Sequence, residues 1–554
     1  MWRPLTAVGL ALALVAGPAA GLAEAKSKSP STKSTSPTPT STPTSSSTRT
    51  STSTSTSSLE SALAALAAAY EAELTNPTGE LSANPDGSFD PATDPGSLYN
   101  VARIIGADKA WAAGYTGAGV DVAVIDTGVS PVPGLTSGNV VNGPDLSFDS
   151  QSPALTDLDA FGHGTHMASL IAGRDEQSAP KDYPDDGKFA GIAPDARLVS
   201  LKVGASDGAV DVSQVIAAVT WVTEHAHTDG LNIRVLSLSY GTDATSWSLS
   251  DPMTYAVEQA WNAGIVVVVA GGNDGTDRLT LANPAMDPRI IAVGASDAQG
   301  TLDTANDTVP YFSARGNLLR HVDLVAPGTH IAGLAVPGSV LTETYPSGLV
   351  ASRYLRGSGT SQAAAVTAGA AALLLQRYPT LTPDQVKAML VATAHGATGT
   401  PVTFRGAGVL DIRAAQLMTP PTVTALPGYA TGTGSLEAAR GTSRVAQDDV
   451  ELTGEQDIFG RAWNPTQYAT LAAARSTWSG GMWNGTTWTG TGWNGTSWTG
   501  RSWTGRSWTG RSWTDSTWTG RSWTGRAWVG DAWIGRSWTG RSWTDATWSG
   551  ALWL

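Results

Sequence analysis

The chain has 554 residues, enough for one large folded unit together with smaller segments and linkers. Its formal charge of -13, from 34 Lys and Arg against 47 Asp and Glu, excludes the basic surface that a nucleic-acid partner would require. Cysteine is absent, which excludes disulfides, thiolate metal sites and cysteine nucleophiles, so any nucleophile must be an oxygen or an amine.

In chain order, residues 1–25 read as a signal peptide. Arg3 precedes an apolar stretch from Leu5 to Gly21, and Ala23-Glu24-Ala25 supplies a small-residue cleavage site. The protein is therefore expected to be secreted or cell-surface associated. Residues 26–58 are almost entirely Ser, Thr, Pro and Lys, too polar to bury a core, and form a disordered linker. Residues 59–98 form a pre-segment, helical from Leu59 to Leu74 and then rich in turn residues.

Between residues 99 and 415, apolar runs of strand length alternate with helical stretches. The runs Val120 to Ile125, Leu198 to Val203, Val235 to Ser239, Ile265 to Ala270 and Ile290 to Val293 lack the polar alternation of a half-exposed strand. They predict strands buried on both sides, with Ser213 to His227 and Thr254 to Asn262 as crossover helices. The fold class is α/β, a doubly wound parallel sheet with helices on both faces. Residues 416–460 read as a linker, and residues 461–554 as a separate Trp-rich repeat region, all-β or irregular.

Within 99–415, four places carry chemistry. Asp126 ends the run Val122-Ala123-Val124-Ile125, where an open α/β sheet gathers functional groups; alone, it reads equally well as a turn residue. Gly162-His163-Gly164-Thr165-His166 opens a helical stretch, placing His163 at a helix N-terminus. His163 and His166 are three apart, not the four of a zinc-binding helix with an intervening Glu, so no metal site is assigned. Gly359-Thr360-Ser361 precedes a long Ala- and Leu-rich helix reaching about Arg377. Either Ser361 is a nucleophile whose own N–H points outward as an oxyanion donor, or Thr360 or Ser361 is simply a cap. Asn273 follows the run Ile265 to Ala270 and Gly271-Gly272, and its side-chain amide suits a second oxyanion donor.

Taken in order, Asp126-Thr127-Gly128, the Gly162 to His166 block, Asn273 and Gly359-Thr360-Ser361 resemble the signature blocks of subtilisin-like serine proteases. The resemblance extends over about Tyr99 to Ala415 and includes Val293-Gly294-Ala295, Ala326-Pro327-Gly328 and Gly408-Val409-Leu410-Asp411. It implies a serine endopeptidase acting on polypeptide substrates, with Asp126, His163 and Ser361 as the catalytic triad and Asn273 in the oxyanion hole. It further implies that Ser239, Tyr240 and Gly241 pair with an extended substrate. Ala270, Gly271 and Gly272 would form the opposite wall of the first specificity pocket, with Asp274 at its rim.

The chain departs from the family pattern after the nucleophile, where Gln362-Ala363-Ala364-Ala365-Val366 replaces the usual Met-Ala-Ala-Pro-His, and no propeptide of the usual size is evident. No cofactor is required for the chemistry. Structural calcium, which family members often bind, is unassigned, and Asp145, Asp149, Asp157 and Asp159 read as solvated loop charges.

From Trp478 to Trp553 a Trp recurs every five residues, and 16 of the chain's 22 tryptophans fall in this run. Trp463 and Tyr468 share its phase. Neither one strand nor one helix puts a five-residue period on a single face, so a coil with a Gly at each corner and the rings inside is expected. Buried rings would make a structural stalk; exposed rings would offer a surface for a cell-envelope polymer or for self-association. The alternative to an active peptidase is a surface adhesion or scaffold protein carrying an inactive protease-like domain.

Overall fold

The structure is a computed structural model. It describes residues 89–151, 155–244, 249–275, 279–447, 450–458, 460–479, 481–484, 486–487 and 533–534. The expected signal peptide, the Ser/Thr/Pro segment, the Leu59 to Leu74 helix and nearly all of the Trp array beyond residue 487 lie outside the described residues.

Seven parallel strands form the central sheet, in the order β2-β3-β1-β4-β5-β6-β7. They are β1 (Asp121–Asp126), β2 (Val140–Asn142), β3 (Arg197–Lys202), β4 (Ile233–Leu238), β5 (Val266–Ala270), β6 (Ile291–Ser296) and β7 (Leu324–Pro327). Every residue of β1, β5 and β6 is buried, as continuous apolar runs require of strands covered on both faces. The five predicted runs coincide with β1, β3, β4, β5 and β6 to within about three residues at their ends, the ordinary uncertainty of element boundaries.

Helix α1 (His163–Ala172) lies in the connection from β2 to β3, α2 (Val212–His225) in that from β3 to β4 and α3 (Pro252–Asn262) in that from β4 to β5. Helix α1 packs with α4 (Thr360–Arg377), whereas α2 packs with α3. From the neighbouring strands β1 and β4 the chain leaves in opposite directions, toward β2 and toward β5, so the end of β1 is a topological switch point, where side chains from several loops can converge. Beside the sheet, β8 (Ile331–Leu334) pairs antiparallel with β9 (Tyr354–Ser358), which leads directly into α4.

The folded body begins before residue 99. Asn100 Nδ2 donates to the carbonyls of Pro91, Ala92 and Asp94, and Asp94 is ion-paired with the buried Arg356.

The segment expected as a linker is irregular and largely exposed over residues 419–428 and packed beyond them. Glu258 on α3 accepts from the backbone N–H of Tyr429 and Ala430, at 3.1 and 3.2 Å. A short helix, α5 (Leu436–Arg440), carries the fully buried Arg440, whose Nε donates to Asp211 at 2.6 Å. Then α6 (Pro465–Ala473) and an antiparallel meander of two-residue strands, β10 (Trp478–Ser479), β11 (Met482–Trp483) and β12 (Thr486–Thr487), cover α2 and α3. Trp463, Tyr468 and Trp483 stack together, with ring centroids 4.9 to 6.3 Å apart. Trp478 Nε1 donates to Ala217 O at 2.9 Å and Trp483 Nε1 to Thr220 Oγ1 at 3.0 Å, both on α2. The first repeats therefore fold back by antiparallel turns and place Trp483 in the core; they do not form a coil.

Candidate active site

Asp126 is the last residue of β1, at the switch point. Its Oδ1 lies 2.7 Å from His163 Nδ1 and accepts from Thr127 N at 2.8 Å, and both side chains are buried. His163 is the first residue of α1. Its loop is held to the β1 loop by Thr127, whose Oγ1 accepts from Gly164 N at 2.8 Å. Gly164 is required here: a Cβ would lie 2.2 Å from Gly128 O and 3.1 Å from Asp126 Cβ.

The α1 N-terminus is fixed from the other side by Asp159, whose two carboxylate oxygens accept from Gly162 N and Thr165 N, both at 2.7 Å. Burial pushes the Asp159 carboxyl up, against the pull of those hydrogen bonds.

This corrects the reading of the acidic loop. Asp145, Asp149 and Asp159 are buried, and only Asp157 is partly exposed. Lys202, itself buried at the end of β3, donates to Asp149 Oδ2 at 2.7 Å, to Leu155 O at 3.0 Å and to Leu158 O. Burial raises the Asp145 carboxyl to about 6, with the Lys202 charge opposing. Among the described residues, no group of three or more His, Asp or Glu is arranged to hold a metal ion.

Ser361 is the second residue of α4, not its cap; Gly359 holds the cap position and no side chain caps the helix. The Ser361 side chain is buried and its Oγ makes no hydrogen bond within the protein. Thr360 does the structural work instead. Its N–H and its Oγ1 lie 2.9 and 2.8 Å from Asn273 Oδ1, and its Oγ1 also accepts from Gly272 N at 3.1 Å. A backbone N–H can only donate, so Oδ1 of Asn273 is identified by its partner and Nδ2 is left as the outward donor. That Nδ2 is buried and has no partner inside the protein.

Behind Ser361, the fully buried Gln362 makes no side-chain hydrogen bond, and neither does the neighbouring His166 Nε2. Burial, and then the nearby His163, pull the His166 imidazole down to about 3, so it is neutral.

The residues implied as substrate-binding, Ser239, Tyr240 and Gly241 after β4 and Ala270, Gly271 and Gly272 after β5, lie on adjacent strand ends and are all buried. Tyr240 keeps 1% of its surface exposed, so its ring does not line an open pocket. Asp274, next to Asn273, is half-buried.

Sequence reasoning missed Asp159, Thr360, Thr127 and Lys202. Only Asp159 carried a signal, an acidic residue just ahead of a helix start. The others act through partners distant in the chain.

Residues 117–419 match the subtilase family profile. The chain is 39% identical over 281 residues to serine protease AprX of Bacillus subtilis, across 50% of this chain and 61% of that protein. It is 34% identical over 314 residues to subtilisin DY of Bacillus licheniformis, across 56% of this chain and 96% of that one. Among solved structures, fervidolysin from Fervidobacterium pennivorans, described as a keratinolytic enzyme related to subtilisin, aligns with a TM-score of 0.47 at 29% identity, covering 58% of this chain and 45% of its own. The chain thus spans under two thirds of AprX and of fervidolysin, but nearly all of subtilisin DY.

Proposed function

Since the chain belongs to the subtilase family of serine endopeptidases, we propose that it cleaves polypeptides through an acyl-enzyme formed on Ser361. Ser361 Oγ attacks the scissile carbonyl while His163 Nε2 takes its proton. Asp126 fixes the imidazole tautomer through Nδ1–H and stabilises the ring when it becomes charged. The oxyanion receives hydrogen bonds from Asn273 Nδ2 and the Ser361 N–H at the start of α4. Collapse of the tetrahedral adduct breaks the C–N bond, and His163 returns the proton to the leaving amine. A water, deprotonated by the same imidazole, then releases the acyl group.

The observation that supports this reading best is the pairing of two opposed features. The 2.7 Å Asp126–His163 contact is buried and satisfied, whereas Ser361 Oγ and Asn273 Nδ2 are buried polar atoms with no partner in the protein. Buried polar groups are normally hydrogen-bonded, and a role in the reaction is one reason for an exception.

An extended substrate would pair with the Ser239 to Gly241 backbone, with Ala270 to Gly272 as the facing wall and Asp274 at the rim. The proposal includes export directed by residues 1–25 and, for the Trp array, attachment to a cell-envelope polymer or to further copies of itself. No helix among the described residues is long and apolar enough to cross a membrane.

The test is labelling of purified protein with a fluorophosphonate, alongside cleavage of an unfolded protein. Wild type should label and cleave, and Ser361→Ala should do neither. A folded, processed wild type that does not label would overturn the assignment in favour of a non-catalytic scaffold.

A further inference from the structure

The subtilase match ends at residue 419, yet a buried polar cluster outside the active site joins residues beyond that point to the segment following β4. Arg440 on α5 is wholly buried and all five of its N–H donors are engaged. Nε donates to Asp211 Oδ2 at 2.6 Å and Nη2 to Asp211 Oδ1 at 3.3 Å and to Gln456 O. Nη1 donates to Gly454 O at 2.7 Å and to Glu437 at 3.3 Å. Asp211 is the N-cap of α2, accepting from Ser213 N at 2.9 Å. A bidentate Arg–carboxylate fork fixes orientation as well as distance, which suits it to hold one element in register against another.

What it holds is the segment following β4. Thr242 Oγ1 donates to Ala439 O at 2.8 Å, one residue before Arg440. Thr442 N donates to Asp243 Oδ1 at 2.6 Å, and the Thr442 hydroxyl bonds the other carboxylate oxygen. Between them Gly441, at φ +61, runs so close that a Cβ would sit 2.5 Å from Asp243 Oδ1 and 2.6 Å from Ala244 N. From the opposite side, Thr242 exchanges backbone hydrogen bonds with Asn283 at 2.9 and 3.0 Å. The buried Tyr240 ring lies within electrostatic reach of both Asp211 and Arg440. Residues 242–244, directly following Ser239 to Gly241, are therefore clamped between the 283 turn and the 439–442 turn.

We propose that Arg440 and the 439–442 turn are positioning elements for the substrate strand Ser239 to Gly241, so that substrate affinity depends on a segment lying beyond the family's shared domain. This rests on the reading of 239–241 as the substrate strand. The clamp touches neither Asp126, His163 nor Ser361. It should therefore act on binding of an extended peptide and leave the chemical step alone, which raises KM with kcat unchanged.

The experiment uses the full chain and chromogenic peptides extending two or four residues N-terminal to the scissile bond, with fluorophosphonate labelling as a readout of the triad alone. Arg440→Met combined with Asp211→Asn removes both buried charges and keeps an Asn cap on α2. KM for the longer peptide should rise about tenfold, with kcat and the labelling rate held within about twofold and a smaller effect on the shorter peptide. Should the double variant not fold, Thr242→Val, which deletes one hydroxyl contact, should raise KM about threefold with unchanged labelling.

Unchanged KM in the folded double variant, or in Thr242→Val where that variant carries the test, overturns the proposal. So does labelling that declines in step with cleavage. Gly241→Val tests the premise: if it leaves KM unaltered, the strand reading fails and the clamp with it. If it raises KM and the clamp variants do not, only the clamp is refuted.

Discussion

Asn273 shows what a single side chain contributes. Thr360 uses both a backbone N–H and a hydroxyl to pin Asn273 Oδ1, so the amide presents Nδ2 before any substrate arrives. Asn273→Ala should lower kcat by roughly 10²- to 10³-fold with little change in KM, measured by steady-state kinetics on a good peptide substrate. Gln362 is the converse case. Both its polar atoms are buried and unpartnered, and it replaces the family's Met. Gln362→Met should raise stability by about 1 kcal/mol without lowering kcat, as read from urea unfolding.

His166 has a folded-state pKa near 3 against an ordinary 6.5, so it lies below the unfolded value. The unfolded chain takes up that proton first. Its contribution to stability is present above about pH 6.5 and is lost as pH falls toward 3. His166→Gln should remove a slope of about 1.4 kcal/mol per pH unit across that window, checked by urea unfolding at several pH values. That Asp126, His163, Asn273 and Ser361 are the candidates is legible in the sequence, because each sits in a short block with its own glycines. The direction in which the Asn273 amide faces is not legible, because Thr360 decides it.

At the level of elements, the strands are legible because burial on both faces leaves an unbroken apolar run. The crossover helices are legible as helical stretches between those runs, and the structure extends both back to N-caps at Asp211 and Asp251. The loop from Asp145 to Asp159 is not. Its carboxylates look like solvated charges until Lys202 is brought to them by β3, which pairs with β1 at Asp126↔Lys202. Lys202→Met should cost about 3 to 5 kcal/mol by leaving Asp149 buried without its partner, whereas adding Asp149→Leu should recover most of that loss. Urea unfolding of the two variants tests this. A Lys202→Met protein as stable as wild type would show that the pair does not organise the loop ahead of α1.

For the whole molecule, the peptidase does not end where the sheet ends. Trp463, Tyr468 and Trp483 bury their rings against α2 and α3, and Glu224 accepts from Thr477 N at 2.7 Å and Trp478 N at 3.1 Å. Buried aromatic rings dominate the energetics of such a junction. A chain stopped at residue 487 gives up the short pairing of Trp533 and Ile534 with Gly357 and Ser358 but should keep cooperative thermal unfolding, whereas one stopped at residue 419 should lose it. Retained stability in the shorter chain would make residues 420–487 an appendage.

The sequence by itself determines the parallel sheet, the order of the reactive residues along it and the family, because strand periodicity and glycine-flanked blocks are local properties. Tertiary structure alone decided that residues 429–458 are packed and not a linker, that the Tyr240 ring is buried, and which acids are buried. Each of these depends on a partner far away in the chain, Lys202 with Asp149 or Arg440 with Asp211, and the desolvation that makes such pairs matter exists only once the chain has folded around them.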